Sequence, residues 1–476
     1  MMSARSLHTV VTGLFTLVLL VLLYFLFNPF SRLPQLEQLH YAGESAGRMM
    51  DRHMEFYAGY ESVGAVERRL HTFLFGEREL VAEDAIQTFR EVLAFFDQHP
   101  RQATPWARLN TQARLLVTLG ETGRIEELRQ TLAQLEDQPE QEMLSEAIRY
   151  AYLDSGDAAD LPSVMYGARM LPLGWAADRL WIRIAQRSGD SAFESFVSRR
   201  QLANGAHLRL QVFRLSLVVA AVILAGLLLL WRYRLFTLMP AWPGGALQRP
   251  WTAREGYAVA VRSAVAGLLI VVILQLWATQ FFRPGLLASW ATLFASLPML
   301  WWMRQRLLRP RGLGLRSGFG LTLCNMGWRR FAAITLGFLA LDWLGMMVIS
   351  WLAWRLGLTG HWAEGVDERL IFGPSLTLWL GVINLVVFTP ILEELGFRGL
   401  IYTSLRSRLK ARTAIPISAL IFSVLHLYSL PGFLTVFWSG VILAWVYERY
   451  RSLLPGMFIH GAGNLLSFTT VVLFYS

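Results

Sequence analysis

The chain has 476 residues, of which 54% are hydrophobic and only 16% charged, with a formal net charge of +10. Soluble domains hold roughly 25% charged residues, so the composition points to a bilayer. The cations gather at the ends of apolar runs, which excludes a nucleic-acid surface, and a single cysteine, Cys324, excludes a disulfide framework or a cysteine-rich metal site.

Nine apolar stretches punctuate the chain. The first, Leu7 to Phe27, follows Arg5 and has about the length of a spanning helix. It lacks a small-x-small cleavage site, so residues 1–28 read as an uncleaved anchor. Residues 29–207 are polar and helix-rich, with no spanning segment. Within them Gly123, Gly156 and Gly189 recur every 33 residues. Each follows a stretch with helical apolar spacing: Leu115, Leu116 and Leu119, then Ile148 and Tyr152, then Trp181, Ile182 and Ala185. Turn glycines at this period resemble tetratricopeptide-type (TPR-like) hairpins, which stack into a concave surface for a protein partner. An irregular helical bundle is the alternative. His40, His53, His71, His99 and His207 lack metal-ligand spacing.

A second span near 212–231 and its loop fill residues 208–258. Further spans follow near 259–281, 285–303, 332–354, 371–392, 414–429, 432–447 and 454–475, and residues 259–476 read as one multi-span unit. The expected fold is all-α, a polytopic α-helical membrane protein of about nine spans. Orientation follows from the arginines. Arg232, Arg234, Arg249 and Arg254 follow the second span. Arg304, Arg306, Arg309, Arg311, Arg316, Arg329 and Arg330 follow the fourth, Arg406, Arg408, Lys410 and Arg412 the sixth, and Arg449 and Arg451 the eighth. Alternate loops hold only Arg283, or Arg355 and Arg369. The positive-inside rule then puts the N-terminus in the cytoplasm and residues 29–207 outside it. In a bacterial inner (cytoplasmic) membrane, that is the periplasm or the cell exterior.

Three polar constellations lie within the last spans: Glu393-Glu394-x-x-x-Arg398, Phe422-x-x-x-His426 and His460-x-x-x-Asn464. Ionisable groups at membrane depth are costly and face a protein interior or a wet cavity. In a helix, residues i and i+4 share a face, so Glu394 can pair with Arg398 while Glu393, turned about 100° away, is left without a local counter-ion. At about 1.5 Å per residue, Glu393 lies about 25 Å from Lys410, His426 about 21 Å from Arg412 and Asn464 about 20 Å from Arg451. The three helices therefore bring these groups to similar depth. Phe422 reads as packing beside His426, and Asp342 is an intramembrane acid with no visible partner.

Leu392-Glu393-Glu394-Leu395-Gly396-Phe397-Arg398-Gly399, then Phe422 to His426, then His460-Gly461-Ala462-Gly463-Asn464 resembles the CPBP family. That family comprises CAAX prenyl proteases of the Ras-converting type and bacterial bacteriocin-processing and immunity membrane proteases. The likeness covers roughly residues 370 to 470. It implies an intramembrane endopeptidase acting on a membrane-anchored peptide or protein. Glu393 would activate a water with help from His426, His460 and Asn464 would stabilise the oxyanion, and Glu394 and Arg398 would hold Glu393. A zinc site of His426, His460 and one glutamate is the alternative, although the chain has no His-Glu-x-x-His helix and Asn464 suits an oxyanion better than zinc. Two other classes stand beside the enzyme. One is a silent membrane scaffold working through its helical repeats. The other is a transporter, for which the paired internal repeats are missing.

Overall fold

Every element among the described residues is helical, with no strand. The structure is a computed structural model. It describes residues 10–18, 36–60, 63–75, 78–134, 139–153, 160–235, 251–281, 285–323, 327–358, 360–364, 366 and 368–475. Of the expected anchor Leu7 to Phe27, residues 10–18 are helical and the rest lies outside the described residues, as do Gly156 and Cys324. The chain divides into two compact units. One holds residues 33–217 and 470–476, the other residues 1–32 and 218–469.

The first unit opens with α1 (Ala42–Ala58), α2 (Ala65–Phe75) and α3 (Arg78–Gln98). Then come α4 (Pro105–Glu121), α5 (Ile125–Ala133), α6 (Pro139–Tyr152), α7 (Leu161–Arg169), α8 (Trp175–Ser188) and the start of α9 (Ser191–Arg232). Local chemistry sets the helix ends. Thr104 accepts from the Ala107 N–H at 3.1 Å while Pro105 occupies the first turn, where its missing N–H costs nothing. Gly123 and Gly189 take left-handed φ of 72° and 76°, which lets the chain reverse between α4 and α5 and between α8 and α9. Leu115, Leu116, Leu119, Ile148, Trp181, Ile182 and Ala185 are buried, and Tyr152 is half-buried. α8 packs against α4 as well as α6.

Two buried carboxylates tie these helices together. Asp51 on α1 receives Arg114 Nε at 3.0 Å and the Ala176 N–H at 3.0 Å. Glu121, at the end of α4, receives Arg183 Nε at 2.7 Å, the Arg179 guanidinium and the Tyr152 hydroxyl at 3.0 Å. Burial pushes the Glu121 carboxyl up, but Arg183 and Arg179 outweigh it and hold its pKa below the ordinary 4.5. A depressed carboxylate adds stability above its unfolded pKa and loses it as pH falls through the folded value.

The second unit contains α10 (Ala253–Phe281), α11 (Gly285–Trp302) and α12 (Gly327–Arg355). It continues with α13 (Ser375–Arg406), α14 (Ala411–Val424), α15 (Leu430–Tyr450) and α16 (Leu454–Tyr475). Six described helices are long and apolar enough to cross a membrane: α9, α10 over Ala253–Leu274, α12, α13, α15 and α16. The chain is therefore a polytopic helical membrane protein. The apolar stretch at 212–231 is the end of a 42-residue helix, α9, rather than a separate element. α9 and α12 cross closely because glycines face each other's backbone: a Cβ on Gly226 would fall 2.3 Å from the Leu336 oxygen. Small residues at crossings allow such approach within a bilayer.

Arg406 departs from the expectation of a free loop cation. Its side chain is buried and pairs with Glu448 at 2.8 Å, and the Tyr402 hydroxyl also donates to Glu448 at 2.8 Å. This neutral knot fastens the end of α13 to α15, so the arginine serves packing there.

In the full-length protein, Glu121→Ala should destabilise the first unit by about 3 kcal/mol, the range for losing one partner of a buried ionic network. The measure is hydrogen exchange along α4 and α8, where the difference from wild type should shrink as pH falls below the ordinary carboxylate range.

Candidate active site

α13 is not a uniform α-helix. It widens to π-helical turns at Asn384–Phe388 and again at Glu394–Tyr402. Pro390 supplies one cause. It has no N–H, so the carbonyl it would serve is released, Val386 in an α-turn or Leu385 in a π-turn. α16 comes in at this point. The Asn464 amide donates to the Leu385 oxygen at 2.9 Å, and a Cβ on Gly461 would lie 2.6 Å from the Val386 oxygen. Gly461 thus permits the approach and Asn464 satisfies the freed backbone. The Thr403 hydroxyl likewise donates to the Arg398 oxygen at 3.0 Å in the second wide segment.

The second π segment carries the first motif from Glu394 onward, with Glu393 closing the α-turn just before it. Glu394 and Arg398 are both about 1% exposed and pair at 2.7 Å. Arg398 also donates to the Gly440 oxygen at 3.3 Å and stands 4.4 Å from the centre of the Phe422 ring. Charge, hydrogen bond and π-face together accommodate a guanidinium that has left water. Glu393 is set apart from this pair, with its side chain 29% exposed. The adjacent glutamates therefore differ as helical geometry requires: one is bound to the arginine, and the other is open to the site.

His460 links them. Its Nδ1 lies 3.2 Å from Glu394 Oε1, and its Nε2 lies 3.7 Å from Glu393 Oε2. A carboxylate only accepts, so Nδ1 carries the proton and Nε2 faces Glu393. The Nε2 distance exceeds a direct hydrogen bond. Gly456 leaves room for Glu394, since a Cβ there would stand 3.1 Å from its Oε2. Beyond the Glu394–Arg398 pair that the sequence allows, Glu394 also fixes the His460 ring.

His426 lies past the end of its helix, contrary to the expected span of 414–429. α14 stops at Val424, and Leu427 takes a left-handed φ of 58°. The His426 ring turns back so that Nδ1 meets the Phe422 oxygen at 2.8 Å. A carbonyl only accepts, so Nδ1 is the donor and Nε2 is left available for chemistry. Phe422 packs beside His426 as its spacing implies, and the same ring reaches two further site residues. It is buried, and its ring contacts those of His426 at 4.7 Å and His460 at 5.8 Å besides Arg398. The sequence signal for this role was its place four residues before a membrane histidine. Asp342 also has a partner, since Ser439 Oγ donates to it at 2.6 Å and the next residue's carbonyl receives Arg398.

No three His, Cys, Asp or Glu side chains among the described residues form a metal-ligand group. The Nδ1 atoms of His426 and His460 are taken by Phe422 and Glu394. No ready His2Glu cluster stands among the described residues, although each Nδ1 contact leaves an Nε2 of the kind that zinc ligands present.

The two glutamates should separate in stability. Glu394→Ala strands Arg398 and should cost about 3–5 kcal/mol. Glu393→Ala removes a partly exposed group and should change stability by less than about 1 kcal/mol. Denaturant unfolding of the detergent-solubilised variants measures both, and equal costs would contradict the assignment of Arg398 to Glu394.

No curated protein and no solved structure matches the chain. One family model does match, that of the type II CAAX prenyl endopeptidase Rce1-like family, over residues 375–466. That segment runs from the start of α13 into α16 and contains all three motifs. The membrane unit of this chain therefore carries an Rce1-like domain of the type II CAAX prenyl endopeptidase family, whose members are hydrolases acting on peptide bonds.

Proposed function

We propose that the domain cleaves a membrane-associated peptide or protein by glutamate-activated attack of water. The observation that carries this reading is the contrast between Glu394, neutralised by Arg398, and Glu393, which faces His460 at 3.7 Å with no arginine attached among the described residues. Glu393 takes a proton from water as the water oxygen bonds to the scissile carbonyl carbon. The C–N bond then breaks, and the proton passes to the leaving amine. His426 has its Nδ1 proton on the Phe422 carbonyl and holds the water through its other nitrogen. The second N–H of Asn464 serves the developing oxyanion, and so does His460 when its Nε2 also carries a proton, where donors in a water-poor site are worth several kcal/mol. Glu394 and Arg398 position this set.

Residues 33–217 have the chemistry of an accessory unit. Their glycine-punctuated hairpins suit recruitment of a protein partner or presentation of substrate, as TPR-like repeats do. The arginine distribution supports an extracytoplasmic location for them in a bacterial inner membrane.

Glu393→Gln, His426→Ala and His460→Ala should each abolish cleavage of a candidate substrate by the purified protein without loss of membrane insertion. Asn464→Ala should retain activity lowered about 100- to 1000-fold, the usual loss of one oxyanion donor. Activity should survive dialysis against a strong chelator, whereas stoichiometric zinc lost and regained with activity would establish the metal mechanism. Full activity of Glu393→Gln would sink the assignment.

Topology has its own check. In a Cys324→Ser background, a cysteine introduced at Arg129 should react with a membrane-impermeant thiol reagent in intact cells, and one at Arg309 should not. The opposite pattern would invert the orientation.

A further inference from the structure

His426 sits in a connection of five residues, Leu425 to Ser429, between α14 and α15. Leu427 in that connection holds a left-handed backbone, which is disfavoured for a residue with a branched side chain. Something must hold the turn, and a residue 65 positions earlier in the chain does so. Glu364, in the segment between α12 and α13, accepts from the Ser429 N–H at 2.7 Å through Oε1 and from the Ser429 hydroxyl at 2.9 Å through Oε2. Ser429 is the N-cap of α15, and Pro431 in the first turn has no N–H to offer. The carboxylate therefore caps the helix from outside and stands at the positive end of its dipole.

The surroundings are shaped to admit this carboxylate. A Cβ on Gly432 would lie 3.0 Å from Glu364 Oε2 and 2.7 Å from the Tyr428 Cβ, and one on Gly360 would lie 3.3 Å from Ser429 Oγ. Tyr428 completes the link, because its ring stands 5.7 Å from that of His426. The His361 N–H, at 3.4 Å, tethers the near side of Glu364.

We infer that Glu364 is a positioning residue for the hydrolysis, a latch that fixes the connection bearing His426 by gripping Ser429. It touches neither substrate nor reacting atoms. It acts through Ser429 and Tyr428 on the placement of the imidazole, and this role rests on the proposed use of His426 in catalysis. Misplacing a catalytic group by about 1 Å can cost about 100-fold in rate.

The test compares full-length variants in detergent. Glu364→Ala should lower kcat about 100-fold with KM changed less than about twofold. Glu364→Gln should recover activity to within about tenfold of wild type, because its carboxamide oxygen accepts from Ser429 N–H and its NH2 donates to the serine hydroxyl. Ser429→Ala should fall between them, and the double variant Glu364→Ala/Ser429→Ala should be no worse than Glu364→Ala alone. Hydrogen exchange at residues 425–430 should quicken in Glu364→Ala and not in Glu364→Gln. Wild-type kcat in Glu364→Ala, or a Gln variant as impaired as the Ala variant, would overturn the latch. Glu393→Gln separates the two ideas. If it still cleaves at the wild-type rate, the assignment of Glu393 as the base fails, and the exchange at 425–430 still decides whether the latch exists. If it is inactive while Glu364→Ala is normal, only the latch fails.

Discussion

The buried carboxylate of Glu394 is the interaction on which the site depends. It neutralises Arg398 at 2.7 Å and receives the His460 ring at 3.2 Å. Two elements distant in sequence, the π segment of α13 and the start of α16, are thereby joined through one residue. Arg398 extends the join to α15 through the Gly440 carbonyl and to α14 through the Phe422 ring. Four helices of this unit thus converge on one ion pair that is enclosed by protein. An unpartnered guanidinium in that place would be among the costliest groups a helix bundle could hold. This explains why the pair is enclosed while its neighbour Glu393 stays accessible.

Backbone irregularity is the second constraint. A bilayer allows no unsatisfied carbonyl facing lipid, so a wide turn in a spanning helix must be served by protein groups. Pro390 removes one donor from α13, and α16 responds with the Asn464 amide on Leu385 and the bare Gly461 against Val386. Asn464 therefore commits one N–H to the fold, and the proposed oxyanion contact falls to the other. The same economy recurs at His426, whose Nδ1 closes the end of α14 on the Phe422 carbonyl. Both groups have two hydrogen-bonding atoms and commit one of them to the fold. Such anchoring fixes both the orientation and the tautomer of each imidazole.

The first unit uses charge differently. Glu121 and Asp51 gather arginines from helices well apart in the chain, and each is nearly enclosed. In a helical unit whose turns rest on glycines, such knots fix how successive hairpins lie against each other. Their cost in desolvation is met by several donors on each carboxylate.

Much of this was legible in the sequence because its causes are local. Apolar runs of about 20 residues dictate spanning helices, and Gly123 and Gly189 mark two places where the helices of the first unit reverse. The spacing of Glu393, Glu394 and Arg398 already implied that one glutamate pairs and the other does not, since i and i+4 share a face whatever surrounds them. Contacts across the bundle were not legible. Nothing near Arg406 in the chain announces Glu448, nothing near Asp342 announces Ser439, and nothing near His426 announces Glu364 holding Ser429. The widening of α13 and the early stop of α14 at Val424 were also hidden, because each is settled by a partner that satisfies the displaced backbone group. Sequence fixes which groups must be neutralised or capped. Only the tertiary structure decides which distant residue does it, because desolvation energy depends on who is nearby in space.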